Sequence, residues 1–198
     1  MSELLYIKTS ANGTRSRSSQ LCEHFIRQHV QANPETRVIQ RDLVGAPLPH
    51  LGPEQWDALR LPPTELSEAQ LAYRRQSDRL IAEFDRADRV VIALPLYNAG
   101  IPSQLKAYFD LLARAGISFE FTEQGPRGLL RDKDLYLIAT RGGVLDSADD
   151  HQVPAVKQLL GLIGITRIHT LIADGLDLSP DSRELSLTTA YERLAALA

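Results

Sequence analysis

The chain has 198 residues, 43% of them hydrophobic and 24% charged, with a net charge of -3 and a pI near 6.0. That length suits one well-buried domain and is short for two, and the mild acidity offers no basic field for nucleic acid. No apolar run approaches the roughly 20 residues that cross a bilayer, and no signal-peptide pattern precedes the first strand, so a cytoplasmic protein without a membrane partner is expected.

The first apolar run, Leu4 to Lys8, predicts a strand. It leads into Thr9 to Gln20, rich in hydroxyls at Thr9, Ser10, Thr14, Ser16, Ser18 and Ser19. A helix is predicted from Ser18 or Ser19 to about Gln31, with Leu21, Phe25, Ile26 and Val30 on one face and Ser18 as its cap. The serine cluster reads either as caps and turns or, with Arg15 and Arg17, as a phosphate cradle at a helix start. Neither GxxxxGK[ST] nor GxGxxG occurs. Cys22, the single cysteine, excludes an intrachain disulfide and reads as a small buried residue or as a nucleophile.

Arg37 to Arg41 forms the second strand pattern. Leu43 to Pro63 then carries Pro47, Pro49, Pro53, Pro62, Pro63 and Trp56, far longer than the about 2–6 residues usual for such a connection. It reads as a packed excursion, a lid or a subunit contact, or as a surface loop tacked down by Trp56. Ser67 to Ala87 predicts a helix with Ala69, Tyr73, Leu80 and Phe84 inward and a charged outer face.

Arg89 to Leu94 forms the third strand pattern of the sheet, with Val90 to Leu94 an unbroken apolar run that stops at Pro95. Gly100 and Pro102 provide for a reversal, after which Leu105, Tyr108, Phe109 and Leu112 recur at helical spacing. Leu96, Tyr97 and Asn98 in the turn offer an apolar edge, an aromatic face and an amide to a flat heterocycle; a plain turn in which Asn98 and Gly100 adopt permissive backbone angles and Tyr97 packs inward is the alternative. Between Gly116 and Gly128, Ile117, Phe119 and Phe121 alternate with polar residues before a Gly-Pro turn, which predicts a short extended arm facing the core, a ligand or a partner.

Leu135 to Thr140 predicts the fourth strand of the sheet and ends in Thr140, Arg141, Gly142 and Gly143, either a glycine turn or a place where backbone N–H groups approach a ligand. A helix over Val153 to Leu162, a break at Gly164, a strand over Ile168 to Ala173 and a helix from Asp181 complete the pattern. This alternation predicts an α/β fold, a doubly wound five-stranded parallel sheet of order 2-1-3-4-5 with helices on both faces. In that order the loops after strands 1, 3 and 4 meet at the carboxyl edge. The histidines are scattered, and no metal site, nucleophile elbow or triad is identified.

The segments PLYNAGIPSQLKAYFD (95–110), LLARAGISFEFTEQGPRGLL (111–130) and TRGG (140–143) resemble the FMN-dependent NAD(P)H azoreductases, also described as quinone reductases, across essentially the whole chain. The resemblance implies a flavodoxin-like fold and ping-pong two-electron transfer from NADH or NADPH through FMN to a quinone or azo acceptor. It implies that Ser10, Ser16, Arg17 and Ser18 hold the FMN phosphate. Leu96, Tyr97, Asn98 and Ala99, with Thr140, Arg141, Gly142 and Gly143, would line the ring. It also implies a homodimer with active sites at the interface, where Phe121 and Leu162 form a substrate wall from the partner subunit. No side chain is assigned as a catalytic acid or base. Family members often carry a bulky aromatic where Ala99 stands and a His or Tyr at Leu145, which implies a roomier pocket and one fewer candidate proton donor here; Leu162 likewise replaces an aromatic in the substrate wall. A non-enzymatic electron carrier and a flavin-free interaction module on the same fold are the rival readings.

Overall fold

Apolar residues on both sides of a strand force it into the middle of a structure, and the chain's apolar runs pair accordingly. The computed structural model describes residues 2–197. Its strands are β1 (Ser2–Lys8), β2 (Thr36–Asp42), β3 (Arg89–Pro95), β4 (Phe119–Thr122), β5 (Gly125–Gly128), β6 (Asp134–Thr140) and β7 (Ile168–Ala173). Its helices are α1 (Arg17–Ala32), α2 (Pro53–Arg60), α3 (Glu68–Arg86), α4 (Ser103–Leu112), α5 (Gln152–Leu162) and α6 (Pro180–Ala195). Five strands form one parallel sheet in the order β2-β1-β3-β6-β7, which is the expected 2-1-3-4-5 order once the separate β4-β5 hairpin is set aside.

Successive side chains along a strand point to opposite sides, and here they enter two different clusters. Leu5, Ile7, Ile92 and Leu137 pack with Phe84 of α3, Tyr108 of α4 and Val156 of α5. Leu4, Tyr6, Val91 and Ile138 pack with Phe25 of α1 and Leu194 of α6. Each large side chain so buried stabilises the fold by about 1.5–3 kcal/mol. Cys22 lies fully buried in the second cluster, where burial raises its thiol pKa, so it has the character of a core residue.

Several local details differ from the sequence reading. The cap of α1 is Ser16 rather than Ser18, because a 3₁₀ turn over Gly13–Arg15 delivers the chain into the helix earlier. Ala69 is exposed; the inward face of α3 consists of Tyr73, Ser77, Leu80, Ile81 and Phe84, behind a capping box of Ser67 and Gln70. The Pro-rich excursion contains α2 and is held by buried Leu43, Leu48 and Ala58, not by Trp56, which is 49% exposed with Arg60 above its ring. Arg74 donates to the carbonyl of Ala58 at 2.6 Å and to that of Leu61, satisfying acceptors that the end of α2 leaves open. In the arm, Glu123 and Gln124 make the turn while Pro126 sits within β5. Phe119 is buried and Phe121 is 77% exposed.

The arm is fastened through glycine. A Cβ at Gly128 would fall 2.1 Å from the Gly164 nitrogen, and Leu130 N–H donates to Ile163 O at 3.1 Å. At the amino edge, Lys133 is 1% exposed and donates to the carbonyls of Phe84 and Asp85 at 2.6 and 2.8 Å, ending α3; burial lowers its pKa to about 8. Beside it, the Asp132 carboxylate accepts from Thr166 Oγ1 at 2.6 Å and from Thr166 N–H at 2.9 Å.

Two outcomes follow from these contacts. Gly128→Ala should lower the unfolding free energy by about 1–3 kcal/mol in denaturant titration, because two backbones meet where the methyl would go. The Thr166 bonds hold the Asp132 pKa at about 2, below the ordinary 3.8, so its stabilisation is present above pH 3.8 and is lost as pH falls toward 2. Asp132→Asn should therefore flatten the decline in stability between pH 4 and 2.

Candidate functional site

Parallel register ends β1, β3 and β6 at neighbouring points on the carboxyl edge. The β3-β6 ladder closes at Pro95 opposite Thr140, with one further bond from Leu96 N–H to Thr140 O at 2.9 Å. Thr9, fully buried, donates its hydroxyl to Ala93 O at 2.6 Å and so fixes the start of the first loop against β3. Beyond these points the loops separate around a cavity of about 390 Å³. Of the residues expected there, Ser10, Ser16, Arg17, Leu96, Tyr97, Thr140, Arg141 and Gly142 line it. Ser18 is buried behind Ser16, their hydroxyl oxygens 3.1 Å apart. Asn98, Ala99 and Gly143 are exposed and lie outside the lining.

Ser16 acts as a cap and as a cavity residue together, so the two alternatives for the serine loop are not exclusive. Its hydroxyl accepts from Ser19 N–H at 3.1 Å. The first-turn N–H groups of Arg17 and Ser18 make no hydrogen bond among the described residues, as expected of a helix start. Arg15 and Arg17 line the same end. Neither has an ion-pair partner among the described residues, whereas Arg141 is paired with Asp150 and Arg183 with Asp177. Net positive charge is therefore concentrated beside the serines.

Tyr97 joins two loops. Its hydroxyl lies 2.9 Å from Ser10 Oγ and accepts from Ala11 N–H at 3.1 Å. The reversal after it occurs at Asn98 and Ala99, with φ of 47° and 62°, not at Gly100. Tyr97 and Gly100 exchange N–H to carbonyl bonds at 3.1 and 2.9 Å, so this is a two-residue left-handed turn. Asn tolerates that conformation; alanine does not do so freely.

The glycine loop is held by its carbonyls. Those of Arg141, Gly142 and Gly143 accept from Leu176, Asp177 and Gly175 at 3.1, 2.9 and 3.0 Å. The N–H groups of Gly142 and Gly143 make no bond among the described residues. A Cβ at Gly142 would come 2.5 Å from Asp177 Oδ2. Arg141 is 3% exposed and donates to Asp150 Oδ2 at 2.6 Å, while its Nε has no partner among the described residues. Burial alone would raise the Asp150 pKa, but Arg141 and the N–H groups of Val153 and Gln152 together hold it below the ordinary carboxylate value.

Asn12, Pro95, Leu176, Asp177 and Arg183 also line the cavity and escaped the sequence reading. The loop after β7 ends at the same sheet edge as the other three, which was the available signal. Phe121 lies elsewhere, on a second cavity of about 530 Å³ beside Trp56 and Arg60, and Leu162, half-buried at the end of α5, lines neither cavity. Among the described residues no group of three or more His, Cys, Asp or Glu is placed to hold a metal ion, and no helix is long and apolar enough to cross a membrane.

A family model described as having a flavodoxin-like fold matches residues 2–198. An FMN-dependent NADH:quinone oxidoreductase from a Marinomonas species is 45% identical over 176 residues, 88% of this chain and 89% of its own length. FMN-dependent NADH:quinone oxidoreductase 6 of Burkholderia lata is 39% identical over 197 residues, 99% of this chain and 100% of its own. The crystal structure of an azoreductase from Bacillus anthracis aligns with a TM-score of 0.91 at 30% identity, covering 100% of this chain and 98% of that one.

The turn geometry makes its own prediction. Ala99→Gly should raise stability by about 0.5–1 kcal/mol in denaturant titration, since relief of the left-handed conformation outweighs the added freedom of the unfolded chain.

Proposed function

The chain belongs to the family of flavodoxin-like fold, and from that premise we propose that it is an FMN-dependent NAD(P)H oxidoreductase that reduces quinones and aromatic azo compounds. The observation that carries the reading is the division of one cavity into a cationic hydroxyl end and a glycine-walled end. FMN needs both, a phosphate site and a slot for a flat ring.

The donor set suits the group. The Ser10 and Ser16 hydroxyls, the first-turn N–H groups of α1 and the cations Arg15 and Arg17 would hold the phosphate, with buried Ser18 bracing the Ser16 hydroxyl from behind. Leu96 and Tyr97 on one side, and Thr140, Arg141 and Gly142 on the other, would line the ring, with the exposed Asn98, Ala99 and Gly143 next to them in sequence and outside the cavity lining. The unpartnered Arg141 Nε and the N–H groups of Gly142 and Gly143 are donors suited to its polar edge. When bound, FMN supplies two-electron redox chemistry between NADH or NADPH and the acceptor in a ping-pong order. The chain's own residues bind, orient and shield; no side chain is assigned a proton transfer.

The proposal includes a single domain spanning residues 1–198, with helices on both faces of the sheet, a division supported by the two strand-side clusters. It includes a homodimer in which Phe121, 77% exposed on the arm, and Leu162 face the partner's site. A cytoplasmic location accords with a nicotinamide nucleotide as donor.

Anaerobic stopped-flow spectroscopy of FMN-reconstituted protein with NADH, NADPH, then benzoquinone and an azo dye should show flavin bleaching followed by recovery. Absence of reduction by either nucleotide would reject the enzyme reading. Gly142→Val should weaken FMN retention at least about tenfold, because the branched side chain meets Asp177 and the ring slot together. Full FMN occupancy in a folded variant would contradict the proposed approach.

A further inference from the structure

The start of α5 holds the roots of both walls of the cavity, although neither residue that does so lines it. Gln152, 1% exposed, donates from Nε2 to Pro95 O at 2.8 Å, immediately before the Leu96 turn. Asp150 uses its carboxylate in two directions. Oδ1 accepts from Gln152 N–H and Val153 N–H at 3.0 and 3.2 Å, capping the helix, and Oδ2 accepts from Arg141 at 2.6 Å. The side chains of this ion pair are 2% and 11% exposed. Between them the chain makes a largely exposed excursion over residues 142–149, so the pair closes the base of the loop that carries Gly142 and Gly143.

A guanidinium in such surroundings has a strong field unless neutralised, and the only carboxylate paired with Arg141 among the described residues is Asp150. Resting on the flavin reading above, we propose that Asp150 is a positioning residue that fixes the Arg141 wall and neutralises it, thereby setting how much more tightly the pocket holds reduced than oxidised flavin. Reduced flavin carries more negative charge, so an uncompensated Arg141 favours it. Asparagine at 150 retains one oxygen able to cap α5 but replaces the oxygen facing Arg141 with an amide donor, so it removes the charge and the Arg141 bond together while leaving the helix cap.

The test measures the midpoint potential of bound FMN by dye equilibration, together with FMN dissociation constants by fluorescence titration. Asp150→Asn should raise the ratio of reduced to oxidised affinity about tenfold, a positive shift of about 30 mV for a two-electron couple. Asp150→Ser, which also caps, should shift in the same direction and carries the test if the Asn variant does not fold. Asp150→Glu should return the potential to the wild-type value. A potential unchanged in the Asn and Ser variants, or affinities for both redox states that fall equally, would overturn the inference and leave the flavin reading standing. Wild-type protein that binds no FMN would overturn both.

Discussion

Parallel pairing brings the carboxyl ends of β1, β3 and β6 to one edge, and the cavity exists because the ladders stop there together. Up to Thr140 the backbone bonds of neighbouring strands satisfy one another; beyond it the loops need other partners. Some of those bonds join loop to strand, as Thr9 does with Ala93, and others join loop to loop, as Tyr97 does with Ser10 and Ala11. The glycine loop turns its carbonyls toward the segment after β7, which leaves its N–H groups available to a ligand. A cavity wall built from main chain is rigid and narrow, which suits a flat ring.

Charge is distributed around this edge with equal economy. Asp150 and Asp177 cancel Arg141 and Arg183, whereas Arg15 and Arg17 stand beside the serine hydroxyls without carboxylate partners among the described residues. The net charge of -3 conceals that local excess of cation. That charge distribution favours an anionic group at the start of α1 over one at the turn and the glycine pair. The strained Ala99 belongs to the same edge: a left-handed alanine is kept where the surrounding turn determines its conformation.

The sheet was largely legible because strands covered on two sides read as continuous apolar runs, as from Val90 to Leu94. Ends were harder. Ser16 and Ser18 are equally good caps by residue type, and only the 3₁₀ turn before them selects Ser16. Trp56 looked like an anchor by size, yet small Ala58 and aliphatic Leu43 occupy the core positions instead. In the turn after β3, Asn98 takes the left-handed angle that its residue type allows, but the second such angle falls on Ala99 rather than on the freer Gly100. Asp177, Arg183 and the Asp150 link to Arg141 depend on contacts between separate loops, for which composition and periodicity contain no signal.

The central claim, that the cationic serine end and the glycine-walled end together form one FMN site, is tested most directly by comparing FMN with riboflavin. The two share the ring and differ in the phosphate. Equilibrium fluorescence titration of the apoprotein should give a dissociation constant for FMN about a hundredfold lower than for riboflavin, the worth of one or two charge-assisted hydrogen bonds. Equal affinities would show that the serine and arginine end does not bind phosphate and would contradict the account.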